Sequence, residues 1–189
     1  MNDDGQVGVR LDKYNNDWYS PGAGWLKRVL WYISNVLFLR NPFCLSSAVK
    51  RGLLRMYGAK IGKKVVIKPS VNIKYPWFLS IGDHAWIGEN AWIDNLAMVE
   101  IGGHVCISQG ALLLTGNHDY SKPGFDLIVK EISIGEGAWI GAKSVVGPGV
   151  SVGKNAVLSA GSFASSDLES NKIYRGNPAV YIKDRNIKD

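Results

Sequence analysis

Aliphatic residues return at every sixth position along most of this chain. From Ile61 to Ala164 the beat is carried by units such as Ile81-Gly82-Asp83-His84-Ala85-Trp86, Ile87-Gly88-Glu89-Asn90-Ala91-Trp92 and Ile134-Gly135-Glu136-Gly137-Ala138-Trp139. A period of six fits no α-helix, which needs spacings of three and four. It fits short strands separated by turns. In Ala85-Trp86-Ile87 alternation sends Ala and Ile one way and Trp the other. Gly88-Glu89-Asn90 must then turn the chain, Gly by its backbone freedom and Asn by its tolerance of left-handed angles. Three strands and three turns close a triangular coil, and stacked coils bury one aliphatic column. The pattern predicts an all-β solenoid, a parallel β-helix.

Grouped in threes, the inward residues give five coils, starting at Ile61, Ile81, Ile101, Ile134 and Val152. The spacing slips from six to eight between Ile73 and Ile81 and again between Ile93 and Ile101. It jumps to 21 between Leu113 and Ile134. All three departures fall at one corner of the triangle. One edge of the prism is therefore decorated, and residues 115–131 should leave it as an arm, the protruding loop of the fold. Long insertions in compact domains usually carry function.

The ends break the pattern. Residues 1–58 form an N-terminal part, extended and polar to about residue 20. Trp25 to Arg40 then reads as a helix ended by Asn41-Pro42, and Leu45 to Tyr57 as a second helix stopped by Gly58. The β-helix proper should run over 59–170, with a tail over 171–189. Two uses of the helices stand side by side. They cap the open end of the solenoid, or the first, with Lys27 and Arg28 beside Trp25 and Trp31, lies on a membrane surface. It is too short to span a bilayer.

Outward positions add a partner. Trp86, Cys106 and Trp139 share one face, and Trp92, Leu112, Val145 and Phe163 share the next. Apolar ladders of this size are seldom left in water. Flat apolar faces on a triangular prism suit a homotrimer, unless the N-terminal helices cover one of them. The 189 residues carry a net charge of +6 without a dense basic run, so nucleic acid is not the expected partner. An anionic small ligand or a membrane face fits as well. Cys44 and Cys106 form no disulfide framework or CxxC site, which argues for a reducing compartment. The polar, acidic stretch Met1 to Arg10 is no signal peptide. The expected location is cytoplasmic, with peripheral contact at the inner membrane as an extension.

The chemistry has few places to sit. His118, in Thr115-Gly116-Asn117-His118-Asp119-Tyr120, lies where the chain leaves the prism. A neutral imidazole there can take a proton from a hydroxyl near neutral pH. Asp119 is adjacent, but neighbouring side chains diverge, so it is not the expected orienting group. His84 and His104 are one coil apart and should stack at a single corner. With His118 they would make a metal-binding trio, but His118 belongs to another corner. No metal is expected within one chain, while a ligand from a neighbouring subunit stays open. No nucleophile elbow, P-loop or Rossmann pattern is present.

With these motifs the chain resembles the left-handed β-helix (hexapeptide-repeat) acyltransferases, and more narrowly their sugar O-acetyltransferase branch. The resemblance covers about Gly58 to Asp184. It is carried by Thr115-Gly116-Asn117-His118, by the run from Ile134 to Ala142, by Gly147-Pro148-Gly149 and by Gly176-Asn177-Pro178-Ala179. Tyr57-Gly58-Ala59-Lys60-Ile61-Gly62 with Tyr75-Pro76-Trp77 is similar to the colanic-acid type of acetyltransferase in exopolysaccharide synthesis.

The resemblance implies direct transfer from acetyl-CoA, as cosubstrate, to a hydroxyl of a sugar or sugar-linked acceptor. It implies His118 as general base and Asn90 as a hydrogen-bonding partner in the active site. The oxyanion donor would be the N–H at Ala142, and Trp139 would line the pantetheine channel. Ala160, Ser165 and Ser166 match positions along the CoA cleft, and Lys183 a basic residue near the CoA phosphates. At Ser165-Ser166 related galactoside enzymes usually carry Thr-Lys, so one phosphate contact departs from the pattern. The site would form between two subunits. Other readings remain: an acyltransferase for an amino sugar or a xenobiotic, a γ-carbonic-anhydrase-like metal protein, or a non-catalytic scaffold.

Overall fold

A computed structural model describes residues 8–188. Met1 to Val7 and Asp189 lie outside the described residues, and with them most of the polar stretch that argues against a signal peptide. The hexads build a three-sided parallel β-helix. Its first face holds the strands Lys60–Ile61, Leu79–Ile81, Val99–Ile101, Ile132–Ile134 and Ser151–Val152. Its second runs through Val66–Ile67, Trp86–Ile87, Cys106–Ile107, Trp139–Ile140 and Val157–Leu158. Its third stacks Asn72–Ile73, Trp92–Asp94, Leu112–Leu114, Val145–Val146 and Phe163–Ala164. The inward Ile67, Ile87, Ile107, Ile140 and Leu158 form one buried row of the core. Burying each such side chain stabilises the fold by about 1.5–3 kcal/mol.

The sequence reading stopped at five coils, and the structure adds part of a sixth. Leu168 bridges to Val152 on the first face. Lys172–Gly176 then pairs parallel with Val157–Leu158 on the second. The tail residues Ala179–Asp184 fold back antiparallel on that strand. The Gly-Asn-Pro-Ala run is the turn of this closing hairpin.

The corners stack as regularly as the strands. At the edge between faces one and two, Lys64, His84, His104, Asn155 and Asn171 all take positive φ. The rings of His84 and His104 stack in parallel with centroids 5.0 Å apart, as the 20-residue offset requires. At the edge between faces two and three, Gly110 donates to the Glu89 carbonyl, Lys143 to Gln109 and Gly161 to Ala142. Coils approach so closely there that a Cβ on Gly141 would collide with the Ala160 nitrogen.

The edge between faces three and one carries all the insertions. Pro76–Phe78 forms a short 3-10 turn in the first. Buried Asn95 ties the first to the second, accepting from the Tyr75 N–H (3.0 Å) and donating to the Tyr75 and Phe78 carbonyls. Buried Thr115 ties the second to the arm, its Oγ1 accepting from the N–H of Leu96 (2.7 Å) and Ala97 (3.2 Å). The arm is a β-hairpin, in which Gly116–His118 pairs antiparallel with Leu127–Val129.

The two N-terminal helices close the first coil from its end rather than from a side. Helix α1 covers Trp25–Ser34 and widens into a π turn over Asn35–Leu39. Helix α2 covers Ser47–Met56, with the Ser46 hydroxyl accepting from Val49 N–H as its N-cap. A first coil has backbone carbonyls with no strand above them, and unpaired buried carbonyls are costly. Trp31 Nε1 donates to Ile73 (3.0 Å), Lys50 Nζ to Lys68 (2.7 Å), Arg51 to Val65 (2.7 Å) and Arg55 to Ile61 (2.8 Å). The cap leaves the second and third faces bare. Trp86, Trp92 and Trp139 remain about half exposed.

Candidate active site

His118 ends the first strand of the arm, and its ring is gripped on three sides. Nδ1 lies 2.8 Å from the Phe125 carbonyl. The Phe125 ring stacks on the imidazole at 4.5 Å, and Tyr14 of the N-terminal segment packs at 5.7 Å. A carbonyl only accepts, so Nδ1 carries the proton and Nε2 of the neutral ring keeps its lone pair. Phe125 delivers that carbonyl from a left-handed turn, φ 54°, where a bulky residue is uncommon. Asp119 is occupied elsewhere, accepting from Ser121 N–H and hydroxyl. The orienting group that sequence reasoning missed is thus a backbone carbonyl, which leaves no trace in residue type.

A cavity of about 700 Å³ opens beside His118. The N-terminal segment supplies one wall with Tyr14, Asn16 and Tyr19, and the decorated edge supplies another with Lys74, Tyr75 and Asp94. The segment is held there by Arg10 N–H on the Pro123 carbonyl and by Trp77 Nε1 on the Pro21 carbonyl, both at 2.7 Å. Tyr19 donates to the Leu96 carbonyl (2.8 Å). Burial, then the neighbouring Tyr75 and Asp94, push its phenol above the usual range, so it stays a donor. Lys74 Nζ sits 2.9 Å from Asp94 Oδ1. The pairing is ionic without a directed hydrogen bond, and Oδ1 keeps unsatisfied acceptor capacity. Of these wall residues only Tyr75, in Tyr75-Pro76-Trp77, stood in a motif.

The other sequence-predicted residues divide between two edges. Asn90 (φ 58°), Ala142 and Ala160 share the edge between faces two and three. Ala142 accepts from Gly161 N–H (2.8 Å), while its own N–H makes no hydrogen bond among the described residues. Trp139 stands beside this edge on face two, donating from Nε1 to Ser108 Oγ (2.8 Å). It helps to line a second cavity, of about 430 Å³, with Trp86, Cys106 and Gln109. Ser165 and Ser166 are exposed and lie on the arm's edge instead, below Gly147-Pro148-Gly149. Lys183 is exposed in the closing hairpin, opposite Ile173. Within one chain face three separates His118 from Asn90, Ala142 and Ala160.

The first face bears a larger hollow, about 820 Å³, lined by serines, acidic residues, Lys154 and the aliphatic residues of its strands. It contains no imidazole or aromatic ring and lies away from His118. Among the described residues no three His, Cys, Asp or Glu side chains gather to hold a metal ion.

The pattern known as the hexapeptide repeat of succinyl-transferase matches residues 131–163. The chain is 41% identical over 165 residues to a protein of Escherichia coli K12 provisionally named colanic acid biosynthesis acetyltransferase WcaF. That alignment covers 87% of this chain and 90% of its relative. It is 31% identical over 144 residues to galactoside O-acetyltransferase of the same organism, covering 74% of this chain and 70% of that one. The fold matches a hexapeptide-repeat acetyltransferase from Vibrio cholerae complexed with acetyl coenzyme A. There the TM-score is 0.76 at 25% identity, over 86% of this chain and 88% of the other.

Proposed function

This chain belongs to the hexapeptide-repeat acetyltransferases, and on that premise we propose that it moves an acetyl group from acetyl-CoA to a sugar hydroxyl, in the assembly of an exopolysaccharide of the colanic-acid kind. The observation that carries the reading is the His118 Nδ1 contact with the Phe125 carbonyl, which leaves Nε2 as a base facing a sugar-sized cavity. The acceptor hydroxyl gives its proton to Nε2 as its oxygen attacks the thioester carbon. The carbonyl oxygen becomes an oxyanion, for which the free Ala142 N–H is the donor. The C–S bond then breaks, and the imidazolium protonates the leaving thiolate. No acyl-enzyme is needed. The base contributes about 10²–10⁴-fold, and positioning in a rigid cleft supplies the rest.

The working unit is a homotrimer in this reading. Its support is the division of the residues between two edges: the arm edge of one protomer must meet the Asn90, Ala142 and Ala160 edge of its partner. Trp139 then borders the pantetheine arm. Ala160 flanks the CoA chain, and Ser165, Ser166 and Lys183 take its more polar end.

The test is thiol release from acetyl-CoA with a panel of sugars and linked sugars, wild type beside His118→Ala. Release by wild type alone supports the mechanism. Equal release by the variant overturns His118 as base.

A further inference from the structure

Helix α1 presents its apolar side to solvent. Trp31 and Asn35 face the coil and are buried. Leu26, Leu30, Ile33 and Leu37, spaced at one stripe of a helix, are 47–56% exposed. Phe43 and Leu45 just beyond are exposed further, at 89% and 75%. No helix among the described residues is long and apolar enough to cross a membrane. A short amphipathic helix of this kind rests in the headgroup region, held by apolar burial and by cations drawn to anionic lipid. Lys27 and Arg28 stand on the same helix, and Arg40 follows the π turn that ends it.

The stripe is joined to the catalytic cavity. A fourth hollow, of about 570 Å³, runs along α1 between Trp25, Val29 and Tyr32. It shares Arg28, Lys74, Tyr75 and Asp94 with the His118 cavity, so the two form one groove. A single sugar needs only the His118 end. The α1 end is lined by three cations, Arg28, Arg40 and Lys74, against one carboxylate, Asp94. That surplus suits a phosphate or diphosphate, which guanidinium groups grip well.

We propose that the acceptor is a lipid-linked sugar presented at a membrane surface: the sugar at His118, its diphosphate against Arg28 and Arg40, its lipid in the bilayer on which the Leu26–Leu37 stripe rests. This deepens the acetyltransferase reading and rests on it. A nucleotide-linked sugar shares the diphosphate but would leave the apolar stripe without a role.

The experiment uses the full chain and a Leu30→Glu/Ile33→Glu double variant, whose sites are exposed and outside the groove. Flotation is measured with phosphatidylcholine vesicles, with and without phosphatidylglycerol. Acetyl transfer is measured to galactose linked by diphosphate to a polyprenyl chain in those vesicles, to a nucleotide-linked galactose and to a soluble galactoside. Wild type should float with anionic vesicles and the double variant should not. The variant should lose about tenfold or more in kcat/KM on the vesicle acceptor alone. Arg28→Ala should raise KM for both diphosphate acceptors and less for the soluble galactoside. Failure of wild type to float overturns the proposal, as does unchanged vesicle activity in the double variant. A changed oligomeric mass of that variant in light scattering makes the stripe an interface between copies. Flotation without acetylation of any acceptor defeats the acetyltransferase reading and the acceptor assignment, and leaves only the surface binding.

Discussion

The Phe125 carbonyl and His118 Nδ1 lie 2.8 Å apart at opposite ends of one hairpin turn, so the arm orients its own imidazole. The contact depends on the left-handed backbone of Phe125 and on the stacking of its ring. Phe125→Gly accepts the backbone angle but removes the stack. We expect kcat to fall by about 10- to 100-fold with KM for acetyl-CoA nearly unchanged, because only the base is loosened. His118→Ala should fall further, by about 10²–10⁴-fold. Steady-state kinetics on both variants checks the order, and a Phe125→Gly enzyme as fast as wild type would refute it.

If catalysis needs the arm edge of one protomer and the Asn90 edge of another, two dead enzymes can repair each other. His118→Ala and Asn90→Ala chains, unfolded together and refolded as mixed trimers, should regain activity in about one quarter of their sites, given random assembly. Each variant refolded alone should stay inactive. A mixture as inactive as its parents would place both residues' roles within one chain, and an active Asn90→Ala parent would deny Asn90 a role.

Thr115 stands at the root of the arm, where its hydroxyl serves Leu96 and Ala97 N–H and donates to the Asp94 carbonyl. Thr115→Val keeps the volume and strands the part-buried N–H groups of Leu96 and Ala97, while the Asp94 carbonyl keeps the Thr115 N–H. The expected cost is about 1–3 kcal/mol, together with a drop in kcat as the arm shifts. Denaturant unfolding and kinetics on the same sample would show whether both change. Stability lost without rate lost would mean the arm is positioned by other contacts.

Lys50 gives a pH signature. It is fully buried against the Ile67 and Lys68 carbonyls, and burial pushes its ammonium below the usual lysine range. Between the folded and unfolded pKa values the unfolded chain binds more protons, so stability rises with pH across that interval. Lys50→Met should remove this rise, measured as Tm against pH on the acid side of the ordinary lysine value of about 10.4. It should also cost about 1–3 kcal/mol by orphaning the Lys68 carbonyl, since the Ile67 carbonyl keeps the Ser47 hydroxyl as donor. An unaltered Tm slope in the variant would assign the alkaline dependence to other groups.

The β-helix was legible because each of its turns repeats the same local instruction: an inward aliphatic, a Gly, a small residue. Even the stacking of His84 on His104 follows from counting. Where the instruction stops, legibility stops. The closing hairpin, Lys172–Gly176 with Ala179–Asp184, read as a tail because it has no hexads and pairs antiparallel. The helices were visible as helices, but not their work as donors, since Arg51 and Arg55 reach carbonyls rather than partner side chains. His118 was found from its place at the only large slip in register. The walls of its cavity were not, because Tyr14, Asn16 and Tyr19 arrive from a segment with no periodicity.

A stack of identical coils has no intrinsic stopping point. Its first coil offers a ring of carbonyls, and such a ring is a template for the end of another molecule. Helix α2 occupies that template with Lys50, Arg51 and Arg55, and the antiparallel Ala179–Asp184 strand flanks the last strand of face two at the other end. End-to-end polymerisation into filaments is thereby blocked, and the faces left open for contact between copies are the lateral ones. Deleting α2 would be expected to convert a protein of defined mass into one that lengthens with concentration.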